Sequence, residues 1–161
     1  MKWTSLIICL IFSLACHSFT SKEKTLATLP PFEMLLMDSN TVLKAQEIPM
    51  GKPILLLFFR PDCPHCQRET RLLLDHMDSL KNVRIYFLAT APFKDIRDFY
   101  FSYHLDKQKN LTVGRDQEHS FYQAFRPASV PYTAIYDANK KLVKIFNEEA
   151  GIENILKAIR T

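Results

Sequence analysis

An unbroken apolar run, Ile54 to Phe59, leads straight into Arg60-Pro-Asp-Cys-Pro-His-Cys66. Such a short run, fed by the turn residues Met50-Gly51-Lys52-Pro53, reads as a strand buried on both faces. Downstream, Cys66, Thr70, Leu73, Met77 and Leu80 recur along one side of a helical pattern. Cys63 and Cys66 therefore sit where a buried strand ends and a helix begins. The free N–H groups and positive dipole end of a helix start stabilise a thiolate. A thiolate attacks disulfides, and a second thiol one turn further on can close a ring. The chemistry predicted for this pair is thiol–disulfide exchange.

A strand followed by a helix needs a sheet to join, and the chain supplies one. Phe32 to Met37 and Thr41 to Leu43, separated by Asp38-Ser39-Asn40, read as a β-hairpin. Val83 to Ala89 is a second buried strand, closed by Pro92. Ile96, Phe99, Tyr100 and Tyr103 mark an amphipathic helix, and this aromatic stripe reads as core packing. Leu111 to Val113 is a candidate short strand, and Gln117 to Phe125 a short helix. Tyr132 to Tyr136 and Leu142 to Phe146 form a hairpin about Asp137-Ala138-Asn139-Lys140. Ile152, Ile155, Leu156 and Ile159 carry a last helix. The order predicts an α/β fold: a central mixed β-sheet flanked by helices, with an N-terminal β-hairpin extension.

With 161 residues, 47% of them apolar, the chain can build one domain with a real core. No Lys/Arg run interleaves with aromatics, so no nucleic-acid partner is expected, and the net charge of +4 reads as a solvated surface. Residues 1–15 read as a signal peptide: Lys2, then an apolar stretch from Leu6 to Leu14 that is shorter than the roughly 20 residues a bilayer span needs. Ser13-Leu14-Ala15-Cys16 resembles the lipobox of bacterial lipoproteins, though Ser13 stands where leucine is usual. That resemblance implies cleavage before Cys16 and lipid attachment there. The other reading is an ordinary secretory signal cut nearby. Residues 16–29 would be a polar tether and residues 30–161, from Pro30-Pro31 onward, the domain. The chain has four cysteines. With Cys9 removed and Cys16 lipidated, Cys63 and Cys66 remain, which is no disulfide framework for an exported domain.

Taken together, Gly51-Lys52-Pro53 before the strand, Cys63-x-x-Cys66-x-x-Glu69 after it, and Ser129-Val130-Pro131-Tyr132-Thr133 opening a later strand resemble the thioredoxin superfamily. More narrowly the chain resembles the TlpA/ResA-like membrane-tethered thiol–disulfide oxidoreductases, over about residues 30 to 160. The resemblance implies that Cys63 is the exposed nucleophile and Cys66 the buried resolving thiol. It implies a cis proline at Pro131, with Val130 and Pro131 meeting the substrate backbone. It implies no cofactor. The expected partners are thiols and disulfides of exported proteins, a membrane or periplasmic redox partner, and the membrane itself through the lipid. The expected location is the bacterial cell envelope, with the domain facing the periplasm.

The chain also departs from these families. Asp62 stands where the group usually has tryptophan; its carboxylate would either disfavour a Cys63 thiolate or cap the helix. Leu57 stands where thioredoxins carry a buried acid, which leaves Glu69 as the candidate proton acceptor for Cys66; a solvated helix glutamate is the competing reading. Pro64-His65 resembles the dipeptide of strongly oxidising disulfide oxidases, where a cationic His65 would favour a Cys63 thiolate. An exposed neutral histidine is the alternative. The overall pattern resembles reducing enzymes, and the dipeptide oxidising ones. Two other functions stay open: a Cu or Zn carrier using Cys63, Cys66 and His65, and a non-catalytic binding domain of thioredoxin-like shape. His76, His104 and His119 are scattered singly and read as surface or helix histidines. Phe93, Tyr103 and Phe125 read as core rather than as a docking groove.

Overall fold

In the computed structural model, residues 26–160 are described. The signal peptide, Cys16 and the upstream part of the tether lie outside them. A seven-stranded mixed sheet runs in the order β2-β1-β5-β4-β3-β6-β7. Its strands are β1 (Glu33–Leu36), β2 (Val42–Lys44), β3 (Ile54–Phe58), β4 (Arg84–Ala89), β5 (Leu111–Arg115), β6 (Tyr132–Tyr136) and β7 (Leu142–Phe146). The helices are α1 (Pro64–Asp75), α2 (Phe93–Ser102), α3 (Ser120–Phe125) and α4 (Ile152–Ile159). β3, β4 and β5 are parallel, while β1 and β6 join them antiparallel. This is the thioredoxin-like arrangement.

The continuous apolar strands make sense once both sheet faces are covered. Leu55, Leu57 and Phe59 point into one core layer with Ile85, Phe87, Ile96, Phe99 and Ile155. Ile54, Leu56 and Phe58 point into the other with Phe32, Met34, Phe121, Phe125 and Tyr132. Alternate residues of one strand thus feed two layers, which is why β3 shows no polar alternation. Each fully buried side chain in such a layer stabilises the fold by about 1.5–3 kcal/mol. Phe125 is completely buried in its layer, and Tyr103 packs against the opposite one.

Three features differ from the sequence-based expectation. The segment Leu111–Arg115 is not a marginal strand but a central one, between β1 and β4. Gly114 hides it in the sequence and explains its place: a side chain there would meet Met34 of β1 at 2.8 Å. The short helix starts at Ser120 rather than Gln117. Buried Asp116 accepts the Phe121 and Tyr122 N–H groups at 3.2 and 3.0 Å, and His119 turns the chain with φ 55°. Finally, packing reaches upstream of Pro30-Pro31. Leu26 is buried, its carbonyl accepts the Tyr136 hydroxyl at 3.3 Å, and Ala27 and Leu29 bond to the β6–β7 hairpin.

Register places the site. Phe58 of β3 lies opposite Tyr132 of β6. The carboxyl end of β3, where the cysteines follow, therefore meets the loop carrying Val130 and Pro131.

Candidate active site

The turn after β3 is set by local chemistry. The Cys63 N–H donates to the Arg60 carbonyl at 3.2 Å, and the Gln67 side-chain amide donates to the Pro61 carbonyl at 2.9 Å. Pro64 takes the first helical position, where its missing N–H costs nothing. Cys63 itself is the N-cap residue: its Sγ accepts the Cys66 N–H at 3.5 Å. The same Sγ lies 3.9 Å from the Val130 carbonyl oxygen, toward which its S–H donates. The Val130–Pro131 peptide is cis. Cys63 is part-exposed, Cys66 is buried, and both are free thiols.

Asp62 does not take the helix-cap role the sequence left open to it. Cys63 holds the cap, and the Asp62 carboxylate turns outward to Arg60, with contacts of 2.6 and 3.1 Å. That guanidinium holds the Asp62 carboxyl below the usual range. His65 is exposed, and its Nδ1 lies 2.5 Å from Glu149 Oε1. Arg68 grips the same carboxylate with Nη2 at 2.5 Å and Nε at 3.2 Å. Its guanidinium, more than His65, pulls the Glu149 carboxyl down. Pro64-His65 is thus tied to a segment far away in sequence.

The floor of the site is dry. Burial pushes the Cys66 thiol up to about 12, against a smaller opposing effect of the Arg60 backbone. Glu69 follows one turn later and is only 1% exposed. Its Oε2 accepts the Ala150 N–H at 3.0 Å and its Oε1 the Thr133 hydroxyl at 3.4 Å. Burial nonetheless pushes its carboxyl up to about 7. Glu69 is therefore not a solvated helix glutamate. Leu57 is buried in the layer beneath α1.

Four residues of this arrangement escaped sequence reasoning as site residues. Thr133 lay inside a motif but had no role assigned, Arg68 had none either, and Glu149 and Ala150 sat in an unremarked polar stretch. Nothing local marks the last two; they reach α1 only through the fold. Among the described residues no group of three or more His, Cys, Asp and Glu side chains is arranged to hold a metal ion.

Residues 45–158 match the thioredoxin-like domain family. The chain belongs to that family. A curated relative, the methylamine utilization protein MauD of Methylophilus methylotrophus, is 25% identical over 133 residues, 81% of this chain. The chain spans 60% of that relative's length. Among solved structures, a secreted Mycobacterium tuberculosis disulfide oxidoreductase homologous to E. coli DsbE superposes with a TM-score of 0.66 at 20% identity, covering 85% of this chain and 97% of that one. M. tuberculosis DsbF, in its mixed oxidised and reduced forms, gives a TM-score of 0.69 at 20% identity, over 84% and 95%. These neighbours share the fold, and the TlpA/ResA-like resemblance read from the motifs sits beside them within the thioredoxin-like family.

Proposed function

We propose that this protein is a thiol–disulfide oxidoreductase acting on exported proteins from the bacterial cell envelope, held to the membrane by lipid on Cys16. One observation carries the reading. A part-exposed thiol caps a helix beside an open backbone carbonyl, while a buried thiol one turn away neighbours a buried carboxyl group. In the reducing direction, the Cys63 thiolate attacks a substrate disulfide and forms a mixed disulfide, and the first substrate sulfur leaves as a thiolate that takes a proton from water. Cys66 then attacks the Cys63 sulfur, the Cys63–Cys66 disulfide closes, and the second substrate thiolate leaves. Two electrons pass from the pair to the substrate. Run backwards, the same steps oxidise a dithiol.

Cys66 must lose its proton to attack, and at about 12 it does not do so unaided at neutral pH. Glu69, at about 7, is partly ionised there and, one helical turn from Cys66, is the candidate to accept that proton. Val130 offers its carbonyl beside Cys63, and Pro131 has no N–H to compete with an extended substrate strand. The reading is tested by equilibrating the purified protein with glutathione and following both a disulfide-containing and a dithiol-containing unfolded exported protein. Expected are a two-electron couple at Cys63–Cys66, turnover in at least one direction, and substrate adducts trapped by Cys66→Ser. No turnover in either direction, with the cysteines reduced and reactive, overturns it.

A further inference from the structure

The β7–α4 connection, residues 147–151, has two sides with different chemistry. On the outside, the Glu149 carboxylate lies in the grip of Arg68 from the first turns of α1, with His65 Nδ1 of the same helix set against both, 2.5 Å from Glu149 Oε1 and 2.6 Å from Arg68 Nη2. On the inside, the very next residue, Ala150, is 3% exposed and gives its N–H to Glu69 of the same helix. Gly151 follows with φ 69°, a left-handed value that lets the chain turn into α4, and its N–H also faces Glu69. The far side of the Ala150 peptide is fixed by α4, where the Asn154 amide donates to the Ala150 carbonyl at 2.9 Å. The near side is fixed by Glu149. α4 has no side-chain cap of its own.

We propose that Glu149 is a positioning residue of the redox site: clasped by His65 and Arg68, it seats the Ala150 N–H on the buried Glu69 carboxyl group. The same clasp ties the residue between the two cysteines to the group that receives the proton of Cys66. This rests on Glu69 serving as that acceptor, but its test does not.

Glu149 acts on Glu69 in two opposed ways. Its negative charge disfavours a second carboxylate nearby, and its grip supplies an N–H that favours one. The other groups facing Glu69 are Cys66 on its own helix, the Thr133 hydroxyl from β6, and the Ala150 and Gly151 N–H groups from the loop. His65 and Arg68 face Glu149. If charge alone mattered, removing Glu149 would lower the Glu69 midpoint and removing Arg68 would raise it. If seating matters, both changes raise it.

The experiment is a carboxyl-carbon NMR titration of Glu69 in the reduced full chain, assigned with Glu69→Gln, for wild type, Glu149→Ala, Arg68→Ala and Arg68→Lys. The midpoint is expected to move up by about half a pH unit or more in both alanine variants, as loss of a hydrogen bond to the charged form demands. Arg68→Lys keeps a cation on Glu149 and returns most of the way to wild type. The pH profile for closure of the Cys63–Cys66 disulfide should move with the midpoint. A midpoint that falls or stays still in Glu149→Ala overturns the proposal. A midpoint that rises in Glu149→Ala while Glu69→Gln leaves the exchange profile unchanged sustains the positioning and removes Glu69 as the proton acceptor.

Discussion

The rim and the floor of the site each carry a carboxyl group close to a cysteine, and the fold treats the two oppositely. Asp62, on the rim, faces water and Arg60, and its carboxyl lies below the usual range. Glu69, on the floor, is 1% exposed and is pushed up to about 7 despite two hydrogen bonds. Spacing to a cysteine does not explain the contrast. Asp62 adjoins Cys63 in the chain but looks outward before the helix begins. Glu69 is one helical turn from Cys66, on the face pressed against β6. Ionising a carboxyl group in water beside a guanidinium is easy; ionising one in a packed layer costs several kcal/mol unless donors compensate. The rim therefore holds a charged carboxylate, and the floor a carboxyl group whose proton affinity lies near neutrality.

That contrast can be broken most directly at the sulfurs. Cys63→Ser should reduce exchange to the uncatalysed background, because the proposed exchange starts at the part-exposed cap position. Cys66→Ser should keep the first attack and accumulate mixed disulfides, read by non-reducing electrophoresis. If the two variants trap substrate equally well, rim and floor are not functionally distinct.

Glu69→Gln comes next. Closure of the disulfide at pH 7 is expected to slow about tenfold, less than the roughly 10²–10⁴-fold of favourable general-base cases because water can partly substitute. The same variant sharpens the comparison through stability. The folded Glu69 binds its proton more tightly than the ordinary 4.5 of an unfolded chain, with a midpoint of about 7. Its contribution to stability is full below pH 4.5 and is lost as pH rises through 7. The loss is at most about 3 kcal/mol at alkaline pH. Glu69→Gln has no such loss, so denaturant unfolding should show it gaining on wild type between pH 5 and 8. Parallel stability curves would mean that the floor carboxyl is not held protonated by burial.

Asp62→Asn is the smallest effect. An exposed ion pair contributes little, so exchange should stay within about twofold of wild type with an unchanged pH profile. A large shift in that profile would show the rim charge reaching Cys63, and would erase the distinction between the two carboxyl groups.

Local pattern carried much of this in the sequence. An apolar run followed by a helical stripe places Cys63 and Cys66 at a strand–helix junction, because side-chain period and helix-start chemistry are properties of neighbouring residues. The hairpins and the helices from Pro64, Phe93 and Ile152 were legible for the same reason. Val-Pro-Tyr marked the loop that meets the cysteines. Other features needed the assembled fold. β5 reads weakly because Gly114 looks like a strand breaker until Met34 is seen packed over it. Asp62 did not take the cap, since its orientation depends on Arg60 and on Cys63 occupying that position. Glu69 could be solvated or buried by sequence alone, and β6 decided. The partners that define its state, Thr133 and Ala150, lie 64 and 81 residues away in the chain. Periodicity reports which face a residue occupies, but desolvation depends on everything packed against that face. Only the tertiary structure brings that together, and with it the proton affinity of the site.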